Sequence, residues 1–103
     1  MAQYQSNPIR AHITRMQTTA RAIRVDAGEY RRTGRSLFST VSSSCGWEGQ
    51  DAEAFRNQLQ GFQEDVEKMA SLMEAYAAFL EQAAAAYRSL QEAAVQQARN
   101  LWS

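Results

Sequence analysis

Ser42-Ser43-Ser44-Cys45-Gly46-Trp47-Glu48-Gly49 separates two long segments in which apolar residues recur at heptad spacing. Five of these eight residues are serine or glycine. Serine hydroxyls compete for backbone hydrogen bonds, and glycine loses much conformational entropy in a helix, so the stretch predicts a turn between two helices. An exposed turn gains nothing from an indole. We therefore expect Trp47 to be covered by its own chain, by a partner, or by both.

Both segments that flank this turn carry apolar residues in alternating steps of three and four. Such spacing keeps a narrow apolar stripe on one side of each helix and is typical of a coiled-coil-like seam. Gly34 lies in the first stripe and costs ~1 kcal/mol of helix propensity relative to alanine. Either a large facing side chain approaches closely there, or the glycine is a tolerated defect. The residues expected to pack the hairpin and a dimer are Ile13, Met16, Ile23, Tyr30, Leu37, Val41, Phe55, Leu59, Phe62, Val66, Met69, Met73, Tyr76 and Leu80.

The predicted fold is all-α, an antiparallel two-helix hairpin that dimerises into an elongated four-helix bundle. A two-helix hairpin is too small to cover both of its own stripes, which is why we expect the dimer. Pairing residues equidistant from Gly46 places Pro8 opposite Ala84, so the segment after Tyr87 is expected to extend beyond the first helix. The predicted bounds, within a single domain of residues 1–103, are a first helix over about 8–43, an elbow over about 44–49 and a second helix over about 50–100.

Charge is divided unequally along the chain although the formal net charge is zero. Residues 1–45 carry seven arginines against two acids, a net charge of +5, and residues 46–103 carry nine acids against four bases, a net charge of −5. A basic helix beside an acidic helix is attractive, and exposed charges of this kind help to select a partner and its orientation.

Several functional classes are disfavoured by the composition. The N-terminal residues have no basic start followed by an apolar run, so we expect no conventional secretory signal, and the longest aliphatic run, Ala83 to Ala86, is far short of the ~20 residues of a membrane span. One cysteine, Cys45, and one histidine, His12, disfavour an internal disulfide and a zinc site within one chain. No catalytic constellation or phosphate-binding loop is present in the sequence, so we expect neither an enzyme nor a cofactor. The arginine series is spread out and lacks a nucleic-acid-binding motif, so no nucleic-acid partner is expected.

Two long helices with Trp47-Glu48-Gly49 between them, in a chain of about a hundred residues, resemble the WXG family, the small hairpin proteins of type VII (ESX) secretion. The resemblance covers nearly the whole chain and includes Ala52 and Phe55 after the tripeptide. It implies export, without a cleaved signal, from the cytoplasm of a Gram-positive or actinobacterial cell by an ATP-driven membrane machine. It also implies a dimeric secreted effector, a chaperone-like partner, or a part of the export process, with roles in virulence or bacterial competition.

The second signal of that family is a tyrosine followed four residues later by an acid in the C-terminal tail. Here Gln91 stands at that place after Tyr87, and Glu92 follows one residue later, which turns the carboxylate about 100° around the helix axis. Either this chain uses a relaxed signal or a dimer partner supplies the tail motif. The residues that the resemblance implies for secretion or partner recognition are thus Trp47, Gly49, Tyr87 and Glu92.

The partners implied by the resemblance are a second copy in an antiparallel homodimer, a second WXG-type hairpin or a larger toxin, and the secretion ATPase. Direct membrane binding is not expected, since amphipathic stripes are buried by default. Cys45 is expected to be an inert small residue, with an intermolecular disulfide as the alternative, and His12 a surface residue. The rival hypothesis is a cytosolic four-helix adaptor or structural module with no secretion role.

Overall fold

The computed structural model describes residues 2–44 and 50–102, and these form two long α-helices. Helix α1 spans Ala2–Ser44 and helix α2 spans Gln50–Trp102. The residues that the structure describes contain no strand, and the all-α prediction is confirmed. The rest of the predicted elbow after Ser44, residues 45–49, lies outside the described residues.

The start of α1 differs from the sequence prediction. The helix was expected to begin at Pro8, but it begins at Ala2 and has Pro8 inside it. Proline removes one backbone donor from the helix, and here this loss falls within the first two turns. Helix α2 begins at the predicted residue, Gln50, and has Asp51 and Glu53 in its first turn, where carboxylates complement the positive end of the helix dipole.

The chain divides into two compact units, and each takes residues from both helices. Unit 1 contains Met1–Ile23 and Ala75–Ser103, and unit 2 contains Arg24–Glu74. Among the described residues, no helix is both long enough and apolar enough to cross a bilayer.

The core of both units is made mainly of small residues. In unit 1 the buried residues are Ile13, Ala20, Ala77 and Ala84, and in unit 2 they are Ala27, Gly34, Ala52, Val66 and Ala70. The buried residues of α1 recur every seven positions from Ile13 to Gly34, and the three later alanines of α2 show the same spacing. Alanine and glycine let two helix backbones approach closely, so we define this set as the small-residue seam.

Gly34 and Val66 form the tightest part of the seam. A Cβ placed on Gly34 would lie 2.5 Å from Val66 Cγ1 and 3.1 Å from Cγ2, whereas a Cβ on Gly61 would meet no atom within 4 Å. Val66 is 2% exposed and, as a β-branched residue in a helix, has essentially one χ1 rotamer open to it. Of the two explanations for Gly34, the close approach of a large facing side chain is therefore the correct one.

In unit 1, the residues of α2 that face α1 are not the ones that the sequence predicted. Arg10, Ile13 and Thr14 line one groove together with residues from Arg88 to Arg99. The expectation that the segment after Tyr87 extends beyond α1 is therefore wrong as far as Arg99. The physical reason is the register of the two helices: Gly34 faces Val66, so facing residues are equidistant from about residue 50 and not from Gly46.

Candidate functional site

A cluster of ion pairs joins α1 to α2 in unit 2. Arg31 donates from Nε to Glu67 Oε2 at 2.7 Å, and from Nη1 and Nη2 to the two carboxylate oxygens of Glu74 at 3.0 and 3.3 Å. Arg35 Nη2 donates to Glu67 Oε1 at 3.2 Å. The guanidinium fork of Arg31 thus holds two carboxylates that lie seven residues apart on α2, which specifies the register between the helices.

Each group in this cluster stabilises the charged form of the others. Hydrogen bonds from Arg31 lower the pKa of Glu74 and of Glu67 below the usual carboxyl range, against the opposing effect of burial. Bonds to Glu74 and then to Glu67 raise the pKa of Arg31. The predicted attraction between a basic first helix and an acidic second helix is confirmed at Arg31 and Arg35, which both pair with glutamates of α2. These two arginines thus use their charge within their own chain, although the side chain of Arg35 is still 62% exposed.

Acidification should weaken the ion-pair cluster. Folding lowers the pKa of both glutamates, so their stabilisation is complete above the ordinary carboxyl value of 4.5 and is lost as pH falls through the lower folded-state values. We expect Glu74→Gln to have a lower melting temperature than the wild-type chain at neutral pH. On acidification to about pH 3, the melting temperature of the variant should also decrease less than that of the wild-type chain, because one titrating carboxylate has been removed.

The matched control for this pH experiment is Glu64→Gln, at an exposed position of the same helix. Thermal melts followed by circular dichroism at a series of pH values measure the effect. Equal acid sensitivity of Glu74→Gln and the wild-type chain would show that the cluster does not contribute to pH-dependent stability.

Large apolar side chains occupy the other flank of the seam. Around the axis of α2, Glu67 lies about 100° from Val66 in one direction and Met69 about 60° from it in the other. The exposed large apolar residues of unit 2 include Tyr30, Leu37, Phe62 and Met69, which are between 42% and 48% exposed, and Leu72, which is 65% exposed. Those of unit 1 include Ile9, Tyr76, Phe79, Tyr87 and Leu90. We call these residues, five in each unit, the apolar face of their unit.

The residues predicted to pack are divided between the seam and the apolar face. Only Ile13 and Val66 of that set are buried. Met16, Ile23, Val41, Phe55, Leu59, Met73 and Leu80 are half-buried, and Tyr30, Leu37, Phe62, Met69 and Tyr76 are exposed. The packing inside one chain therefore uses the smallest members of the heptad pattern and leaves many of the largest on the surface.

Tyr87 and Glu92 lie in two different depressions of unit 1. Tyr87 lines a cavity of about 260 Å³ with Ile9, His12 and Met16. Glu92 lines a groove of about 630 Å³ that also contains Arg10. Five residues of α-helix turn a side chain through about 140° from its starting direction. The structure therefore does not bring the tyrosine and the acid together. Trp47, Gly49 and Cys45 lie outside the described residues.

The α2 half of the small-residue seam has a sequence signal that the predicted heptad stripe does not include. Ala70, Ala77 and Ala84 recur every seven residues, and a glutamate precedes each alanine by three residues, at Glu67, Glu74 and Glu81. The repeated Glu-x-x-Ala pattern places a carboxylate beside each small contact. It was overlooked because the heptad stripe of α2 was traced through its larger apolar side chains, whereas the stripe of α1 includes its seam residues from Ile13 to Gly34.

Comparison with known proteins identifies one family. The family model described as WXG100, proteins of 100 residues with WXG, matches residues 8–92. The match spans most of the 103 residues. No match was found among curated proteins, and none among solved structures.

Proposed function

The chain belongs to the WXG100 family, and from this membership we propose that it is a small substrate or adaptor exported by a bacterial type VII secretion system. The family implies small secreted proteins associated with type VII secretion. The proposed role is that of a dimeric secreted effector or a chaperone-like partner without catalytic activity. The observation that carries the proposal is the family match across both helices, together with an apolar face that the chain does not cover itself.

The apolar face supports the dimeric part of the proposal. Monomeric proteins rarely expose large contiguous apolar patches, because every Å² of apolar surface removed from water contributes about 25 cal/mol. Tyr76 and Phe79 stack with ring centroids 6.3 Å apart and are 55% and 61% exposed, so they form a preassembled aromatic surface. A second hairpin packed on this face would complete a four-helix bundle.

The charges of the two units favour one orientation of two copies. Unit 1 carries five bases against two acids, a net charge of +3, and unit 2 carries nine acids against six bases, a net charge of −3. Pairing unit 1 of one copy with unit 2 of another brings opposite charges together, and pairing like units brings like charges together. This supports an antiparallel homodimer. The other proposed partners are a second WXG-type hairpin and a larger toxin.

Export is tested by fractionating the native host. We expect the chain in the medium around intact wild-type cells and retained inside cells that lack the secretion ATPase. A cytosolic marker controls for lysis. A chain that stays in the cytosol of wild-type cells would contradict export and support the cytosolic adaptor instead.

The secretion residues are tested in the same assay by substitution. Trp47→Ala should reduce export, whereas Trp102→Ala, at a residue that is 90% exposed, serves as the matched control. Tyr87→Ala and Glu92→Gln should each reduce export if the tail of this chain carries a signal. Undiminished export of both tail variants would assign that signal to the dimer partner.

A further inference from the structure

The groove in unit 1 carries an excess of positive charge. Arg10 of α1 and Arg88 and Arg99 of α2 line it, and Glu92 is its one acid. Among the residues that the structure describes, these four side chains make no ion pair. Three guanidinium groups against one carboxylate leave the groove with a net charge of +2.

The positive charge arises from a reversal in the heptad series of α2. Glu67, Glu74 and Glu81 recur every seven residues, and Arg88 is the next member of the series. In unit 2, the first two members pair with Arg31. At Arg88 a base replaces the acid, and Arg10 lines the same groove. A glutamate at position 88 would have continued the pattern and could have paired with an arginine of α1. An arginine at this position cannot form such an ion pair between the helices.

The floor of the groove is partly apolar. Ile13 is 5% exposed, and Val95 is 45% exposed between the arginines of α2. Arg88 and Arg99 are separated by eleven residues, which corresponds to about 16 Å along a helix. This length suits about five residues of extended peptide better than a single small anion.

We propose that the groove lined by Arg10, Arg88 and Arg99 binds an acidic peptide segment of a partner protein, with apolar residues alternating between its carboxylates. The carboxylates accept hydrogen bonds from the guanidinium groups, and the apolar side chains contact the exposed Val95. The groove lies on the flank of α2 opposite the apolar face. Around the helix axis, Glu92 is about 80° from Ala84 in one direction and Tyr87 about 60° in the other. The proposal does not depend on export or on the dimer.

The probe is the fluorescein-labelled peptide Glu-Leu-Glu-Leu-Glu, added to the purified full chain and followed by fluorescence anisotropy. We expect Arg10→Gln and Arg99→Gln each to weaken binding roughly two- to five-fold, as is usual for exposed ion pairs. Arg88→Glu reverses a charge and should weaken binding about tenfold or more. The matched control Arg21→Gln removes an exposed arginine of the same unit outside the groove and should leave binding unchanged. Binding should also decrease as salt is added.

Four results would overturn the proposal. The first is equal binding of the neutral peptide Gln-Leu-Gln-Leu-Gln and the acidic one, and the second is equal binding of the acidic peptide by the groove variants and the wild-type chain. Displacement of the peptide by inorganic phosphate at an equal concentration would show a simple anion site. A change in oligomeric state in Arg88→Glu would show that acids of a second copy occupy the groove. Circular dichroism establishes that each variant retains its helices.

Discussion

Replacing Gly34 by alanine should lower the free energy of unfolding by up to about 2 kcal/mol, although alanine is the better helix former. The added Cβ would lie 2.5 Å from Val66 Cγ1, and Val66 has no alternative rotamer with which to move away. Overpacking in a close-packed core typically costs 1–3 kcal/mol, and the gain in helix propensity offsets about 1 kcal/mol of this. Denaturant unfolding at one fixed protein concentration measures the difference.

The matched control is Gly61→Ala, where the new methyl group meets no atom within 4 Å. The free energy of unfolding of that variant should increase by roughly 0.5–1 kcal/mol, because the only effect is the smaller loss of backbone conformational entropy in the helix. Combining Gly34→Ala with Val66→Ala should cost less than the two single changes together, since the smaller side chain leaves room for the new methyl group. A stabilised Gly34→Ala chain would contradict the close approach of the helices at this point.

Introducing aspartate at Tyr30 and at Met69 should convert the proposed dimer into monomers. Both residues belong to unit 2 and are 43% and 45% exposed on the apolar face. Fully burying a large apolar side chain contributes about 1.5–3 kcal/mol, so burying the exposed part of Tyr30 or Met69 contributes roughly 1 kcal/mol, and each substitution acts twice in a two-fold symmetric dimer. Either variant should therefore raise the dimer dissociation constant by about thirtyfold or more. Sedimentation equilibrium over a range of concentrations measures that constant.

The control for this experiment is Asn57→Asp, which adds the same charge at an exposed polar position of α2. It should leave both the helical content and the dissociation constant unchanged. Tyr30→Asp and Met69→Asp should also retain their helical content, because the seam is formed by other residues. A wild-type chain that remains monomeric at every concentration would contradict the homodimer and favour a heterologous partner.

Much of the helical architecture was predictable because the relevant signals are local. The scarcity of proline and glycine, the heptad spacing and the acids at Asp51 and Glu53 all act within a few turns of helix. The start of α1 was mispredicted because Pro8 suits both a first helical position and, at a cost, an early helical turn. The tripeptide Trp47-Glu48-Gly49, together with its central position between two long helices and the following Ala52 and Phe55, suggested the family that the comparison then identified.

The candidate site was less predictable, because its residues acquire their roles from what faces them. Tyr87 and Glu92 were grouped because the family resemblance implies a tyrosine followed by an acid, yet the helix turns them into separate depressions. Arg31 was indistinguishable from the other arginines of α1 until the register placed it against Glu67 and Glu74. A one-turn change in register would give each charge a different partner.

The amino-acid sequence by itself determined that this protein is two long helices of the WXG type, since helix propensity, heptad periodicity and a Trp-x-Gly tripeptide are properties of short segments. Only the tertiary structure decided which side of each helix faces inward. Large and small apolar residues fit the same heptad pattern, but alanines and Gly34 let the backbones approach and leave one flank to the ion pairs of Arg31. The larger side chains were thereby left on the other flank, where a partner can cover them.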